Sequence, residues 1–240
     1  MLFVHEVHHV VGTREDEFED LVRDTWLPGL AHEGGARLLW YCRHVHGTGP
    51  AYHIVTITAV RDGAAWQRLV DRIQSGDLRK TAATLDECRH RLTAKLLVPL
   101  PWSPMQDIDL DGAPAVAADH EPTLYLEDTG WPSAPLDDYT GFWGESYHRP
   151  MQQRAAADRL LDVEASFQPA YGAGRRREAI LWQRVLDHDK LLHLLTHDTD
   201  PERMKPGTFM AEALRYRDQW ESNCCARAAG RRTDDCVADY

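Results

Sequence analysis

The chain has 240 residues, of which 43% are hydrophobic and 27% charged, with a formal net charge of −11. That length allows one large domain or two of ordinary size, and the apolar share is sufficient for real cores. The negative balance, with no basic stripe, excludes a nucleic-acid phosphate partner. No apolar run approaches the roughly 18 residues a membrane span requires, and the N-terminus lacks a basic and apolar leader pattern, so a cytoplasmic protein is expected. Five cysteines (Cys42, Cys88, Cys224, Cys225 and Cys236) form neither a disulfide framework nor a zinc knuckle and read as reduced thiols.

In chain order, Phe3 to Val11 interleaves apolar and ionisable residues, the pattern of a strand. Phe3, His5, Val7, His9 and Val11 share one face; Val4, Glu6, His8 and Val10 share the other. Either buried face carries imidazoles, which are costly to bury unless paired or used. Helical spacing of Phe18, Leu21, Val22 and Trp26 follows, closed by Pro28 and Gly34-Gly35. Ala36 to His46 reads as a second strand, with Leu38, Trp40, Cys42, His44 and His46 on one side and Leu39, Tyr41, Arg43 and Val45 on the other. Tyr52 to Val60 is a third. Asp62 precedes an amphipathic helix with Trp66, Leu69, Val70 and Ile73, and a further helix over about Leu78 to Arg91 leads to a fourth strand, Leu92 to Leu100. The order β-α-β-β-α-β is the ferredoxin-like split unit.

Residues 102–121 are rich in Pro, Asp and Ala and lack periodicity, as a linker does. The pattern then repeats. Phe3-Val4-His5-Glu6 falls on Leu124-Tyr125-Leu126-Glu127, matching Glu6 to Glu127 and His8 to Thr129. Phe18, Leu21, Val22 and Trp26 fall on Tyr139, Phe142, Trp143 and Tyr147; Val60, Asp62, Leu69 and Val70 fall on Val185, Asp187, Leu194 and Leu195. Leu161 to Phe167 and Ala179 to Leu186 read as strands, Lys190 to His197 and Phe209 to Trp220 as helices, and Asn223 to Ala226 as a short last strand. Arg175-Arg176-Arg177 reads as a solvated turn and the polar end of the chain as frayed. Internal similarity of this kind indicates two structural repeats.

The expected domains are a histidine-rich ferredoxin-like repeat at 1–104, a linker at 105–121, an apolar and aromatic repeat at 122–228, and a tail at 229–240. A ferredoxin-like unit covers one sheet face with helices and leaves the other bare, and a tandem pair can bury both bare faces. The expected fold class is therefore α+β: tandem ferredoxin-like repeats packed sheet to sheet as an intramolecular dimeric α/β-barrel.

Four stretches resemble the NIPSNAP-type members of the dimeric α/β-barrel superfamily. They are the opening strand with Glu6, Glu33-Gly34-Gly35 before the second strand, and Leu97-Val98-Pro99-Leu100-Pro101-Trp102-Ser103-Pro104 closing the first half; Arg217-Asp218-Gln219-Trp220-Glu221-Ser222 closes the second. The resemblance spans nearly the whole chain and implies a fold whose members include cofactor-independent monooxygenases, cyclases, isomerases, lyases and haem enzymes. Fold analogy does not choose among them.

Strand histidines (His5, His8, His9, His44, His46 and His53) crowd the first half and are nearly absent from the second. Glu6 and His8 share a face about 7 Å apart along the strand, and a histidine beside a carboxylate has a raised pKa suited to general base work. Glu6, His8, His53 and His44 are therefore the expected catalytic residues. Tyr125, Glu127, Trp182, Trp40 and Tyr41 are expected to bind a largely apolar, aromatic or polyketide-like substrate. Oxygenation, cyclisation, isomerisation or elimination without an organic cofactor is the expected chemistry. A metal on His and Glu from adjacent strands is one alternative; haem on His148, His188 or His193 is another, and a non-catalytic binding module a third. His193 and His197 lie four apart on a helix and read as surface histidines. No nucleotide loop or nucleophile elbow is present. The partner is a small molecule, with neither nucleic acid nor membrane, and exposed sheet edges allow a homodimer.

Overall fold

The computed structural model describes residues 1–117, 122–172 and 176–227. The first half contains β1 (Leu2–Val10), α1 (Glu15–Leu21), a π-helical turn at Val22–Trp26, α2 (Leu27–Ala31), β2 (Ala36–His44), β3 (His53–Val60), α3 (Gly63–Gln74), α4 (Arg79–Glu87) and β4 (Arg89–Pro99). The second contains β5 (Leu124–Pro132), α5 (Leu136–Trp143), a π-helical turn at Gly144–His148, α6 (Arg149–Gln152), β6 (Leu161–Tyr171), β7 (Ala179–Val185), α7 (His188–Thr196), α8 (Phe209–Ala213) and β8 (Arg217–Arg227). The fold is α+β, as the alternation and helical spacing indicate.

The chain forms two compact units, and each takes its fourth strand from the other half of the sequence. Unit 1 comprises Met1–Ala94, Asp107–Thr123 and the segment from Cys225; unit 2 comprises Lys95–Gln106 and Leu124–Cys224. In unit 1, β3 pairs antiparallel with β1 and β2, and β2 pairs with the end of β8 through His44 opposite Cys225. In unit 2, β7 pairs with β5 and β6, and β6 pairs with the end of β4, Val98 opposite Gln168. The motif closing the first half consequently belongs to unit 2. Trp102 donates its indole N–H to the Thr140 carbonyl at 2.8 Å and stacks on His148, and Ser103 Oγ accepts from the Ser166 backbone N–H at 2.9 Å.

The two repeats match in detail. Leu39 is an extra residue in β2, between Leu38 opposite Thr58 and Trp40 opposite Ile57. Glu164 is the same extra residue in β6, between Val163 opposite Gln183 and Ala165 opposite Trp182. Asp62 and Asp187 both follow the third strand of a repeat by two residues, and each carboxylate accepts the backbone N–H three residues on, capping α3 and α7. Both first helices pass through a π turn.

The bulge corrects the expected faces of the second strand. Leu38 and Tyr41 pack with the helices, whereas Trp40, Cys42 and His44 lie on the opposite face. On the helix-packed face of unit 1, Val10 and Ile54 meet Phe18, Val22, Leu85 and Cys88. In unit 2 the matching core is Tyr139, Trp143, Val163, Ala179 and Leu181.

Pairing also corrects the register between repeats. If Val185 stands for Val60, then Leu181 stands for Thr56. Thr56 lies opposite Glu6, and Leu181 lies opposite Asp128. Asp128, not Glu127, is thus the counterpart of Glu6, and Gly130, not Thr129, that of His8. A one-residue slip moves a strand side chain to the other face, so the correction changes what each repeat places under its helices.

Two helical expectations also change. The stretch expected as a helix to Trp220 stops at Ala213, and β8 begins at Arg217. On α7 only Leu191 is buried; Leu192, Leu194 and Leu195 are exposed, and the tilted rings of His193 and His197 meet at the surface with centroids 3.9 Å apart. Arg176 is held by Asp218 at 2.9 Å; Arg175, Cys236 and the tail at 229–240 lie outside the described residues. No helix among the described residues is long and apolar enough to cross a membrane.

Candidate functional site

Strand alternation sends Glu6 and His8 of β1, Thr56 of β3 and Tyr41 of β2 to the helix-packed face of unit 1. Glu6 and Tyr41 both lie opposite Thr56, so the three form a row across the sheet. His8 is buried against Phe18 of α1, with ring centroids 5.1 Å apart.

The hydrogen bonds of this group have a direction. Arg89 Nη1 lies 2.7 Å from His8 Nδ1. A guanidinium only donates, so Nδ1 accepts and the neutral ring keeps its proton on Nε2. His8 Nε2 then donates to Thr56 Oγ1 at 3.0 Å, and the Thr56 hydroxyl donates to Glu6 Oε2 at 3.4 Å. Asp86 holds Arg89 from the other side through Nε at 2.9 Å and a second contact at Nη2. The chain Asp86–Arg89–His8–Thr56–Glu6 is continuous.

This geometry reverses the expectation for His8. Burial, then the neighbouring Arg89 charge, lowers its pKa to about 3. With its accepting nitrogen occupied, His8 orients Thr56 and is not itself a base at neutral pH. Glu6, which is partly accessible, goes the other way: burial raises its carboxyl above the ordinary range, against the opposing pull of Arg89 and the Thr56 hydrogen bond. The buried Tyr41 hydroxyl has no hydrogen-bond partner among the described residues, and burial, with Glu19 adding to it, holds its pKa well up.

His53 does not join them. It stands opposite His9, with ring centroids 3.8 Å apart, on the face that also carries Trp40 and His44. His44 and His53 rings are 5.5 Å apart. The expected catalytic set is therefore divided between two faces of one sheet, Glu6 and His8 on one, His44 and His53 on the other.

In unit 2 the expected substrate-binding residues share one face. Tyr125 and Trp182 stack at 5.2 Å and 20°, Trp182 is fully buried, and Glu127 lies directly opposite it. Sequence reasoning missed the polar group on the helix-packed face. Tyr147 donates to Gln183 Oε1 at 2.6 Å, and Gln183 Nε2 donates to Asp128 Oδ2 at 2.6 Å. Burial raises Asp128 to about 6, opposed by hydrogen bonds from Ser222 and Trp220 and by the Arg217 charge, with Glu127 adding to the rise. A correct repeat register was the signal that would have found Asp128. Where unit 1 has His8 against Phe18, unit 2 has Gly130 under Tyr139; a Cβ on Gly130 would collide with the Tyr139 hydroxyl. The phenol occupies the room that the imidazole fills in the first repeat.

Comparison with solved structures places this architecture. An anthrone oxidase-like protein is 10% identical and superposes with a TM-score of 0.61, over 95% of this chain and 91% of its own. A putative monooxygenase from Lactobacillus acidophilus is 8% identical with a TM-score of 0.55, over 94% and 93%. The chain has the dimeric α/β-barrel fold. A NIPSNAP family protein from Agrobacterium tumefaciens is 18% identical over 44% of this chain and all of its own, with a TM-score of 0.37, too low to bear on fold or function. No family model matches, and no curated protein matches.

Proposed function

We propose that the protein is a small-molecule enzyme in which Glu6 removes a proton from a planar, largely apolar aromatic substrate. The observation that carries this reading is the half-buried Glu6 carboxyl, raised by burial and held at the end of a directed hydrogen-bond chain. A base with a pKa lifted toward the working pH is better matched to a weakly acidic carbon or phenol. The unpartnered Tyr41 hydroxyl, across Thr56 from Glu6, supplies a donor for the substrate oxygen on which negative charge develops. Phe18, Leu21, Trp26 and Leu38 give the group apolar surroundings.

The similarity to an anthrone oxidase-like protein and a monooxygenase in fold suggests a substrate of the tricyclic keto-phenol class with dioxygen as co-reactant. Glu6 would take a proton from the methylene carbon between the rings, leaving a delocalised anion. Dioxygen accepts the anion's electrons and forms a carbon-bound hydroperoxide after protonation; loss of water leaves the new ketone. One dioxygen is consumed, one oxygen atom enters the product and the other leaves as water. No organic cofactor enters this balance.

The test is oxygen uptake and quinone absorbance with anthrone, comparing the natural chain with Glu6→Gln. The expected result is turnover by the former and a rate about 10²–10⁴-fold lower in the variant with unchanged circular dichroism. An undiminished rate in Glu6→Gln, or no uptake with anthrone and its hydroxylated analogues, overturns the reading.

A further inference from the structure

Asp86 lies in the last turn of α4 and Arg89 opens β4, with Cys88 between them and the ends of both elements meeting there. This turn is pinned to the end of β1, since the Cys88 carbonyl accepts the Val11 N–H at 2.9 Å, three residues beyond His8. The Asp86 side chain is 66% exposed and that of Arg89 only 11%, so the pair reaches from the surface to the buried ring. We propose that Arg89 is a positioning residue for Glu6: by donating to His8 Nδ1 it fixes the histidine tautomer that turns the Thr56 hydroxyl toward Glu6, and Asp86 is the clamp that holds Arg89 in place. The catalytic consequence rests on the reading of Glu6 as the base; the tautomer itself does not.

A neutral imidazole allows two arrangements of this group. With the ring proton on Nε2, His8 donates to Thr56 Oγ1 and the Thr56 hydroxyl proton is left for Glu6. With the proton on Nδ1, Nε2 becomes an acceptor and the hydroxyl turns to it. Thr56 Oγ1 lies 3.0 Å from His8 Nε2 and 3.4 Å from Glu6 Oε2, so distance alone favours the second arrangement. Arg89 reverses that order. In the second arrangement the Nδ1 proton would face a guanidinium N–H across 2.7 Å, donor against donor.

The geometry suits an arginine. Its Nε and Nη2 both go to Asp86 Oδ1, the first at 2.9 Å, which sets the guanidinium plane and leaves Nη1 aimed at the ring. A guanidinium has donors only and keeps them across the pH range in which enzymes work, so a lock of this kind does not open with pH. Arg89 therefore acts on Glu6 twice. Burial raises the Glu6 carboxyl; the largest opposing effect is the Arg89 charge, and the next is the Thr56 hydrogen bond that Arg89 directs, with His5 lowering it and Asp86 raising it less.

Nitrogen-15 NMR of the His8 ring at pH 8 reads the tautomer in the full chain without substrate. The natural chain is expected to show a protonated Nε2 and a bare Nδ1. Arg89→Met should bring in the Nδ1–H form and move the Glu6 midpoint, followed by carbon-13 NMR, up by about 1 pH unit or more. Arg89→Lys keeps a donor and a charge and should return both toward their natural values; Asp86→Ala should leave a mixture of tautomers. Loss of charge alone would also raise the midpoint, so Arg89→Met is repeated in a Thr56→Val chain. There the rise should be smaller by about 0.5 pH unit, the share the hydrogen bond supplies. A Nδ1–H ring in the natural chain overturns the proposal, as does a Glu6 shift of equal size in the two backgrounds. The first of these needs no variant, so a substitution that fails to fold does not shield the proposal. Absence of turnover would overturn Glu6 as the base while these spectra still decide the role of Arg89.

Discussion

Glu6 and Asp128 occupy the same position in the two repeats. Each lies on the first strand of its repeat, opposite the corresponding residue of the third, on the helix-packed face, and burial raises both carboxyls. The repeats have kept a buried acid and changed what surrounds it: threonine, histidine and arginine in one, glutamine and tyrosine in the other.

The Asp128 shift has a defined sign in stability. Its pKa rises on folding from 3.8 to about 6, so the native state binds the proton more tightly than the unfolded chain. The contribution is fully present below about 4 and is lost as pH climbs through about 6, after which the ionised carboxylate costs about 3 kcal/mol. Asp128→Asn keeps an acceptor for Gln183 and removes the titration. In urea unfolding, the stability of the variant relative to the natural chain should increase between pH 4 and pH 7 by up to about 3 kcal/mol. A difference independent of pH would show that Asp128 titrates normally.

The existence of the elements was legible in the sequence; the direction of their side chains was less so. Alternation at Phe3–Val11 located β1, and the paired aspartates at 62 and 187 located α3 and α7. Faces failed where one residue decides them. Nothing in the run Ala36–His46 marks Leu39 as a bulge, and matching Glu6 to Glu127 preserved a chemical identity while shifting the strand by one. The His8 pKa is depressed by burial and then by Arg89, 81 residues away, a contact no local pattern encodes. The charged and aromatic residues of β8 read as a helix because helical and extended periods both fit a short mixed run.

Thr56 carries the link between His8 and Glu6, so Thr56→Val should uncouple them at nearly constant volume. The buried His8 Nε2–H loses its acceptor, which costs about 1–3 kcal/mol. Glu6 loses a hydrogen bond that lowers its pKa, so its titration midpoint should move further up. Carbon-13 NMR of the Glu6 carboxyl reads the shift directly, and a downward move would refute the direction assigned to the chain. Thr56→Ser, which keeps the hydroxyl, should restore the natural midpoint.

Gly130 is small because Tyr139 lies over it. Gly130→Ala should destabilise the protein by about 1–3 kcal/mol, the usual cost of overpacking a closed core. Tyr139→Phe removes the oxygen nearest the added methyl, although the ring carbon that carried it at 2.9 Å and Trp143 at 3.0 Å still press on the site. The double variant should therefore recover part of the loss, with a coupling energy of about 1 kcal/mol in a double-mutant cycle. Additive effects would mean that the phenol does not set the limit at position 130.

Glu178 tests how much of unit 2 depends on a buried charge. It is 1% exposed, pairs with Lys95 at 2.5 Å, and accepts the Trp131 indole N–H at 2.9 Å. Lys95 reaches it from the β4 segment that joins this unit from the first half of the sequence. Glu178→Ala strands the ammonium and the indole together, so it should cost about 3–5 kcal/mol. Lys95→Met leaves the carboxylate without its cation but with the indole donor, so its cost should be smaller than that of Glu178→Ala. Replacing both, as Glu178→Leu with Lys95→Met, removes the desolvation of two charges at once and should be closer to the natural stability than Glu178→Ala alone. Denaturant midpoints of the three variants decide it. Equal losses in all three would show that packing at these positions, and not the ion pair, holds β4 in place.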